Sequence, residues 1–334
     1  MYRIDIGIDL GTSKVCVYMR DKGIVINQPS VIAFEPKEKK ILAVGKKAKR
    51  MIGKTGDNIV VCQPIKNGVI SEYALAERMV KAFIKNALKK RRILGRPNIC
   101  VAVPQGITEV ERRAVEDAIV KTGAREVFLL ESPIAAALGT GVDIMETTGH
   151  MIVDIGGGTT DIAIISAGDI SYGVSLKVGG DDYTEALSRY VRRKYNIELG
   201  DLTAEDAKIE IASVINRMID SSYEIKGKNM VNGLPIRFDL GANETVEPLE
   251  EITGQIIDGI TSVLEKCEPE LAADVAKEGI LLSGGGSLIY GMDRLISDKT
   301  GIRTVISDEP ENVVAAGAGM AGEYIMVQDE ESKK

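Results

Sequence analysis

The sequence has no tryptophan, one histidine and four cysteines. The lone His150 leaves little room for catalysis or metal binding built on imidazole, and it reads as a surface residue. Cys16, Cys62, Cys100 and Cys267 stand apart without CxxC spacing. They are expected as small apolar residues in a reducing compartment, with neither a disulfide framework nor a zinc site. No apolar run approaches the roughly 20 residues a membrane span requires, and Met1-Tyr2-Arg3-Ile4-Asp5 lacks the apolar stretch of a secretion signal. The expected location is cytoplasmic, with any membrane contact peripheral. Excess positive charge is missing too: at a net charge of −7 no nucleic-acid partner is expected, because binding phosphates needs a basic face. What is present, 334 residues of which 44% are hydrophobic and 27% charged, supplies apolar material for two globular domains.

Two stretches share one design. Residues 4–19 alternate through Ile4, Ile6 and Ile8, break at Leu10-Gly11-Thr12-Ser13, and alternate again at Val15 and Val17. Residues 151–166 run Ile152-Val153-Asp154-Ile155, break at Gly156-Gly157-Gly158-Thr159-Thr160, and return as Ile162-Ala163-Ile164-Ile165. Each predicts a strand, a tight glycine turn and a second strand, with Asp9 or Asp154 at the tip of the first. Such a repeat predicts a duplication, two like domains facing each other. Leu75, Met79, Phe83, Ala87 and Leu88 fall on one face of a helix predicted over 71–92. Thr108 with Glu111 forms a capping box opening a helix that runs through Lys121 and stops at Gly123. Residues 133–138 and 313–320 are rich in alanine and glycine, so two helices can cross closely there, as a hinge or as ordinary tight packing. Strands alternating with helices, plus hairpins, predict an α/β fold with mixed sheets. The charged tail after Gln328 is expected to fray.

Three glycine-rich turns carry the candidate chemistry: Asp9-Leu10-Gly11-Thr12-Ser13-Lys14, residues 154–161, and Ser283-Gly284-Gly285-Gly286-Ser287. Glycine lets the backbone approach phosphate oxygens, and exposed N–H groups and hydroxyls then donate to them. The third turn follows the apolar Ile280-Leu281-Leu282 and precedes a predicted helix, so its amides can face an anion. Asp9 and Asp154 are placed to hold a hydrated Mg²⁺, which favours one or two carboxylates plus water and phosphate oxygens. One such turn is weak evidence; three in this order, two duplicated with an aspartate, point to a nucleotide cleft. Gly53-Lys54-Thr55 matches the end of a P-loop, but Ala48 stands where its first glycine belongs.

In this order the three turns resemble those of the actin, chaperone and sugar-kinase superfamily. The resemblance to the MreB/Mbl family of bacterial actins is much closer and covers nearly the whole chain. It is carried by Ile8-Asp9-Leu10-Gly11-Thr12, Asn27-Gln28-Pro29-Ser30-Val31, Glu111-Arg112-Arg113-Ala114, Ser132-Pro133-Ile134-Ala135-Ala136-Ala137, residues 154–160, Val178-Gly179-Gly180-Asp181 and Leu282-Ser283-Gly284-Gly285-Gly286. This resemblance implies an actin-like fold of two duplicated ribonuclease-H-like domains, each carrying a small subdomain, with ATP or ADP and Mg²⁺ in the cleft. By that likeness domain I comprises 1–32, 64–145 and 312–334, with small subdomain 33–63. Domain II comprises 146–180 and 244–311, with small subdomain 181–243. Gly11, Thr12, Ser13, Gly156, Gly157, Gly158 and Thr159 would hold phosphates, with Thr159 near the γ-phosphate. Ser283, Gly284, Gly285 and Gly286 would form the adenosine turn, and Glu205 and Lys208 would flank the adenosine, unless they are an exposed helical charge pair. The implied function is polymerisation into paired, membrane-associated protofilaments that scaffold cell-wall elongation and set cell shape. Its implied partners are further copies of the chain, an anionic membrane at the inner face of the cell, and membrane proteins of wall elongation.

One departure concerns catalysis. The family carries a glutamate immediately before its proline, where it positions the attacking water; here Glu131-Ser132 precedes Pro133. Either local geometry lets Glu131 serve, or hydrolysis is slow, since phosphoryl transfer depends on positioning. ATP binding with weak hydrolysis is expected. Lys89-Lys90-Arg91-Arg92-Ile93-Leu94-Gly95-Arg96 sets Ile93 and Leu94 in a cationic run, either a membrane-binding loop, as in relatives, or a basic helix end with a partly buried pair. Residues 111–117 lie on the helix that pairs protofilaments antiparallel in similar proteins, or form a salt-bridged surface. A small-molecule kinase would need a second-substrate pocket, which no motif supplies. A chaperone module would be followed by a peptide-binding domain, for which no room is expected.

Overall fold

The computed structural model describes residues 3–38, 40–89 and 96–331. Two five-stranded sheets share one wiring. The first holds β1 (Ile6–Leu10), β2 (Lys14–Met19), β3 (Gly23–Pro29), β4 (Asn98–Val103) and β5 (Glu126–Glu131), in the order β5-β4-β1-β2-β3. The second holds β6 (His150–Ile155), β7 (Thr160–Ser166), β8 (Asp169–Leu176), β9 (Ile280–Ser283) and β10 (Thr304–Ile306), in the order β10-β9-β6-β7-β8. In both, the first three strands form an antiparallel meander and the last two add in parallel on the other side of the first. The duplication read from two hairpins thus extends to whole sheets.

Strand alternation decides what each face meets. In the first sheet Ile6, Ile8, Val15 and Val17 pack under the helix Tyr73–Lys89, through its Met79, Val80, Phe83 and Ile84. In the second sheet Met151, Val153, Ile162 and Ile164 pack under the helix Val246–Lys266, through Leu249, Ile252, Ile256 and Ile260. The opposite faces look inward: Cys100 and Ala102 from β4, with Ile152, Ala163 and Ile165 from β6 and β7, meet in one cluster. Between them lie two short helices, Ser132–Thr140 and Val313–Met320.

These two helices cross backbone to backbone. A Cβ on Gly317 would sit 1.7 Å from the Ala135 carbonyl oxygen, and one on Gly139 would sit 2.1 Å from that of Val313. Gly7 of β1 is equally constrained, since its Cβ would lie 2.2 Å from the Gly319 nitrogen. The alanine- and glycine-rich stretches are there because two peptide planes touch.

Two three-stranded sheets interrupt the large ones. One contains Ile32–Glu35, Lys40–Val44 and Val60–Cys62; the other contains Ile197–Glu198, Ser222–Asn229 and Pro235–Gly241. Each has its own small apolar cluster. The capping box forms: the Glu111 N–H donates to Thr108 Oγ1 at 3.3 Å and the Thr108 N–H to Glu111 Oε2 at 2.8 Å, opening the helix Glu109–Val120. The tail differs from expectation. The helix Gly322–Glu331 continues past Gln328, tied down by Gln328 Nε2 donating to the Gly168 oxygen and by buried Ile325. Among the described residues no helix is long and apolar enough to cross a membrane.

Candidate functional site

The β1–β2 and β6–β7 turns face each other closely enough to exclude side chains. A Cβ on Gly157 would fall 2.1 Å from Ser13 Oγ, and one on Gly158 would fall 2.7 Å from Thr12 Oγ1. Each turn is held from behind. Thr12 Oγ1 accepts from the Gly68 N–H at 2.8 Å. The Gly156 and Gly157 carbonyls accept from the N–H groups of Gly180 and Asp181, at 2.9 and 2.7 Å, at the start of the helix Gly180–Tyr195. The third turn leaves β9 through Gly284, whose φ of +78° and whose 2.3 Å approach of a Cβ to the Ile155 oxygen admit only glycine.

One cavity joins the three turns. Asp9, Gly11, Thr12, Ser13, Asp154, Gly156, Gly157, Gly158, Thr159, Glu205, Lys208, Gly284, Gly285 and Gly286 all line it. Ser283 lies beneath it, fully buried, donating through Oγ to Asp154 Oδ1 at 2.7 Å. Glu131 does not line the cavity, whereas Ser132 does. Burial raises the Glu131 carboxyl above its usual range, while the Arg112 charge and a hydrogen bond from the Gly106 N–H oppose that shift. Ser132 spends its hydroxyl proton on the Val103 oxygen at 3.0 Å. Ile93 and Leu94 lie outside the described residues.

Glu205 and Lys208 are no exposed pair. Their side chains are 24% and 11% exposed and meet at 2.7 Å, and Lys208 Nζ also donates to the Gly180 oxygen at 2.9 Å. Burial acts to raise the Glu205 carboxyl, but Lys208 and the Thr184 hydroxyl outweigh it and hold the group below its usual value. Deeper in the cavity, burial first and neighbouring carboxylates second push Asp9 up to about 7. Burial lifts Asp154 to about 6 and Asp161 to about 7.

Sequence reasoning passed over three features. Asp161 lines the cavity directly opposite Asp154 in the β6–β7 register, a placement that follows once the hairpin is closed at Ile155 and Thr160. Asp181 accepts from Ser13 Oγ at 2.9 Å, across the cleft. Lys14 pairs with Glu311, and both line the cavity. No sequence pattern joins residues so far apart in the chain.

Two sheets of one wiring, opposed across paired glycine turns, make this an actin-like protein. The family model for MreB/Mbl protein matches residues 3–330. The chain is 42% identical over 329 residues to the cell shape-determining protein MreB of Escherichia coli (strain K12), covering 97% of this chain and 95% of that protein. The crystal structure of MreB5 of Spiroplasma citri bound to ADP superposes with a TM-score of 0.91 at 36% identity, covering 97% of this chain and 98% of that one. A MamK double helical filament superposes with a TM-score of 0.80 at 21% identity over 95% of this chain and 98% of that one, a likeness of fold. The chain belongs to the MreB/Mbl family.

Proposed function

We propose that this chain binds ATP or ADP with Mg²⁺ in the cleft between its two domains, divided as the resemblance implies, and polymerises into paired filaments on the inner face of the cell membrane. There it would scaffold cell-wall elongation and so set cell shape, with membrane proteins of that machinery as partners. The observation that carries this is the cavity joining three glycine turns, two of them opposed and each carrying an aspartate at its strand tip, Asp9 half-buried and Asp154 buried. Gly11, Thr12, Ser13 and residues 156–159 take the phosphates, with Thr159 nearest the γ-phosphate. Gly284, Gly285 and Gly286, over Ser283, with Glu205 and Lys208, take the adenosine. MreB5, the relative of Spiroplasma citri, has been solved with ADP and with AMPPNP, which supports a nucleotide here.

Among the described residues no group of three or more histidine, cysteine or acidic side chains is set to hold a metal. Mg²⁺ needs fewer, because water and phosphate oxygens complete its shell. Asp9 and Asp154, one half-buried and one buried, their carboxyls raised to about 7 and about 6, fit that role, since a divalent charge beside them would favour their ionised forms. Bound there, the ion would offset phosphate charge.

Hydrolysis is expected to be slow, because neither Glu131 nor Ser132 offers the cavity a carboxylate at the position the family uses. Ile93 and Leu94 are proposed to touch anionic lipid, a weak contact that a polymer multiplies. Negative-stain electron microscopy of the protein with Mg-ATP and anionic liposomes tests the whole reading. Paired filaments on lipid are expected, detached in an Ile93→Ser/Leu94→Ser variant. No filaments under any nucleotide or lipid condition would remove the polymer.

A further inference from the structure

We propose that Asp161 is the catalytic carboxylate that receives the attacking water in this chain, in the place left empty of a carboxylate at Ser132. The assignment rests on reading the cavity as an ATP site.

Elimination leads to it. Among the described residues five acidic side chains line the cavity: Asp9, Asp154, Asp161, Glu205 and Glu311. Glu205 is engaged by Lys208 and Glu311 by Lys14. Asp9 and Asp154 are the pair suited to a divalent cation, and Asp154 Oδ1 already accepts from Ser283. Glu131 faces Gly106 and Arg112 and lies off the cavity. Asp161 remains, and it shares the cavity wall with Ser132, Pro104 and Thr159.

Its carboxylate is held from both halves of the molecule. The Gln105 N–H, just past the end of β4, donates to Asp161 Oδ1 at 3.0 Å. From the second sheet, Ser175 lies directly across β7–β8 from Asp161, where its hydroxyl favours the ionised carboxylate. A carboxylate offers about four lone-pair sites, so the Gln105 donor orients it and leaves capacity for a water. No lysine or arginine pairs with it among the described salt bridges, so that capacity is not spent on an ion pair.

In the step this serves, Asp161 accepts a hydrogen bond from the water and aims its oxygen at the γ-phosphorus. The new P–O bond forms as the bond from the γ-phosphorus to the β,γ-bridging oxygen breaks, its electron pair leaving with ADP. One water proton stays on the new oxygen; the other ends on a non-bridging oxygen of the released phosphate. Because Gln105 follows a strand of the first sheet and Asp161 lies in the second, the water would be gripped only when both halves are in place.

The test measures single-turnover phosphate release from Mg-ATP, and equilibrium binding of AMPPNP, for wild type, Asp161→Asn, Ser132→Glu and the double variant. Asparagine can still accept from the Gln105 N–H, so AMPPNP affinity should stay within about threefold while phosphate release falls by roughly tenfold or more. Ser132→Glu should speed release, and in that background Asp161→Asn should cost less than about threefold, because the second carboxylate takes over. Asp161→Asn releasing phosphate at the wild-type rate would overturn the assignment, as would loss of AMPPNP binding in step with turnover. So would a wild type that binds AMPPNP yet releases no phosphate. A wild type that binds no AMPPNP fails differently: it removes the ATP reading itself, and the assignment with it.

Discussion

Asp9, Asp154 and Asp161 line one cavity, and the cost of that arrangement depends on pH. Folding raises their carboxyls from an ordinary 3.8 to about 7, about 6 and about 7. Between those limits the folded chain holds more protons than the unfolded one, so the stability these three groups contribute is full below pH 4 and is lost progressively as pH rises from there through 6 to 7. The carboxylates that folding depresses, Glu111, Glu205 and Glu244, act below their usual value of 4.5 and leave that window alone. The nucleotide-free protein should therefore lose urea resistance between pH 5 and pH 8. Asp9→Asn should recover on the order of 2 kcal/mol at pH 8 and much less at pH 5. The same substitution should weaken binding of Mg-ADP, since it removes a carboxylate from the ion. A variant no more stable than wild type at pH 8 would show that the aspartates are not strained.

At the scale of the element, the molecule turns on the crossing of Ser132–Thr140 and Val313–Met320 between the two sheets. Gly317→Ala would set a methyl 1.7 Å from the Ala135 oxygen, with both helices wedged and unable to retreat. Overpacking of this kind is expected to cost about 3 kcal/mol or more in urea unfolding. Gly254→Ala is the control: it lies on the helix Val246–Lys266 with nothing near its added carbon, so it should gain up to about 1 kcal/mol. Equal effects at the two glycines would show that close approach is not what position 317 needs. This crossing was legible in the sequence because two runs of alanine and glycine have few other uses. The hairpins were legible too, their period-2 alternation broken by glycine at matching places. The tail is helical three residues further than expected, to Glu331, because the helix it prolongs is anchored by Gln328 to Gly168, a hairpin residue far away in the chain that charged composition does not reveal. Asp161 was missed because its importance depends on a register, opposite Asp154 and beside Ser175, and register appears only when strands are paired.

Seen as a whole, the two halves are joined unequally. On the side of the crossing helices an apolar layer from both sheets binds them, and nothing polar need break for it to hold. Across the cleft the links among the described residues are polar and few: Ser13 Oγ to Asp181 Oδ1 at 2.9 Å, the Gln105 N–H to Asp161 Oδ1 at 3.0 Å, and the half-exposed Lys14–Glu311 pair. A hydrogen bond of this sort contributes about 1 kcal/mol net, far less than the apolar layer. The cleft should accordingly open by giving up these links while the crossing stays shut. Asp181→Ala removes one of them without altering a residue assigned to phosphate. Hydrogen exchange in the nucleotide-free protein should then quicken by about fivefold at the turns 11–14 and 156–159, while amides of Asn98–Val103 keep wild-type protection. Uniform quickening would mean that the variant loosens the entire fold. Unchanged turns would mean that the Ser13–Asp181 bond holds nothing, and that closure rests on the remaining cross-cleft links and the apolar layer.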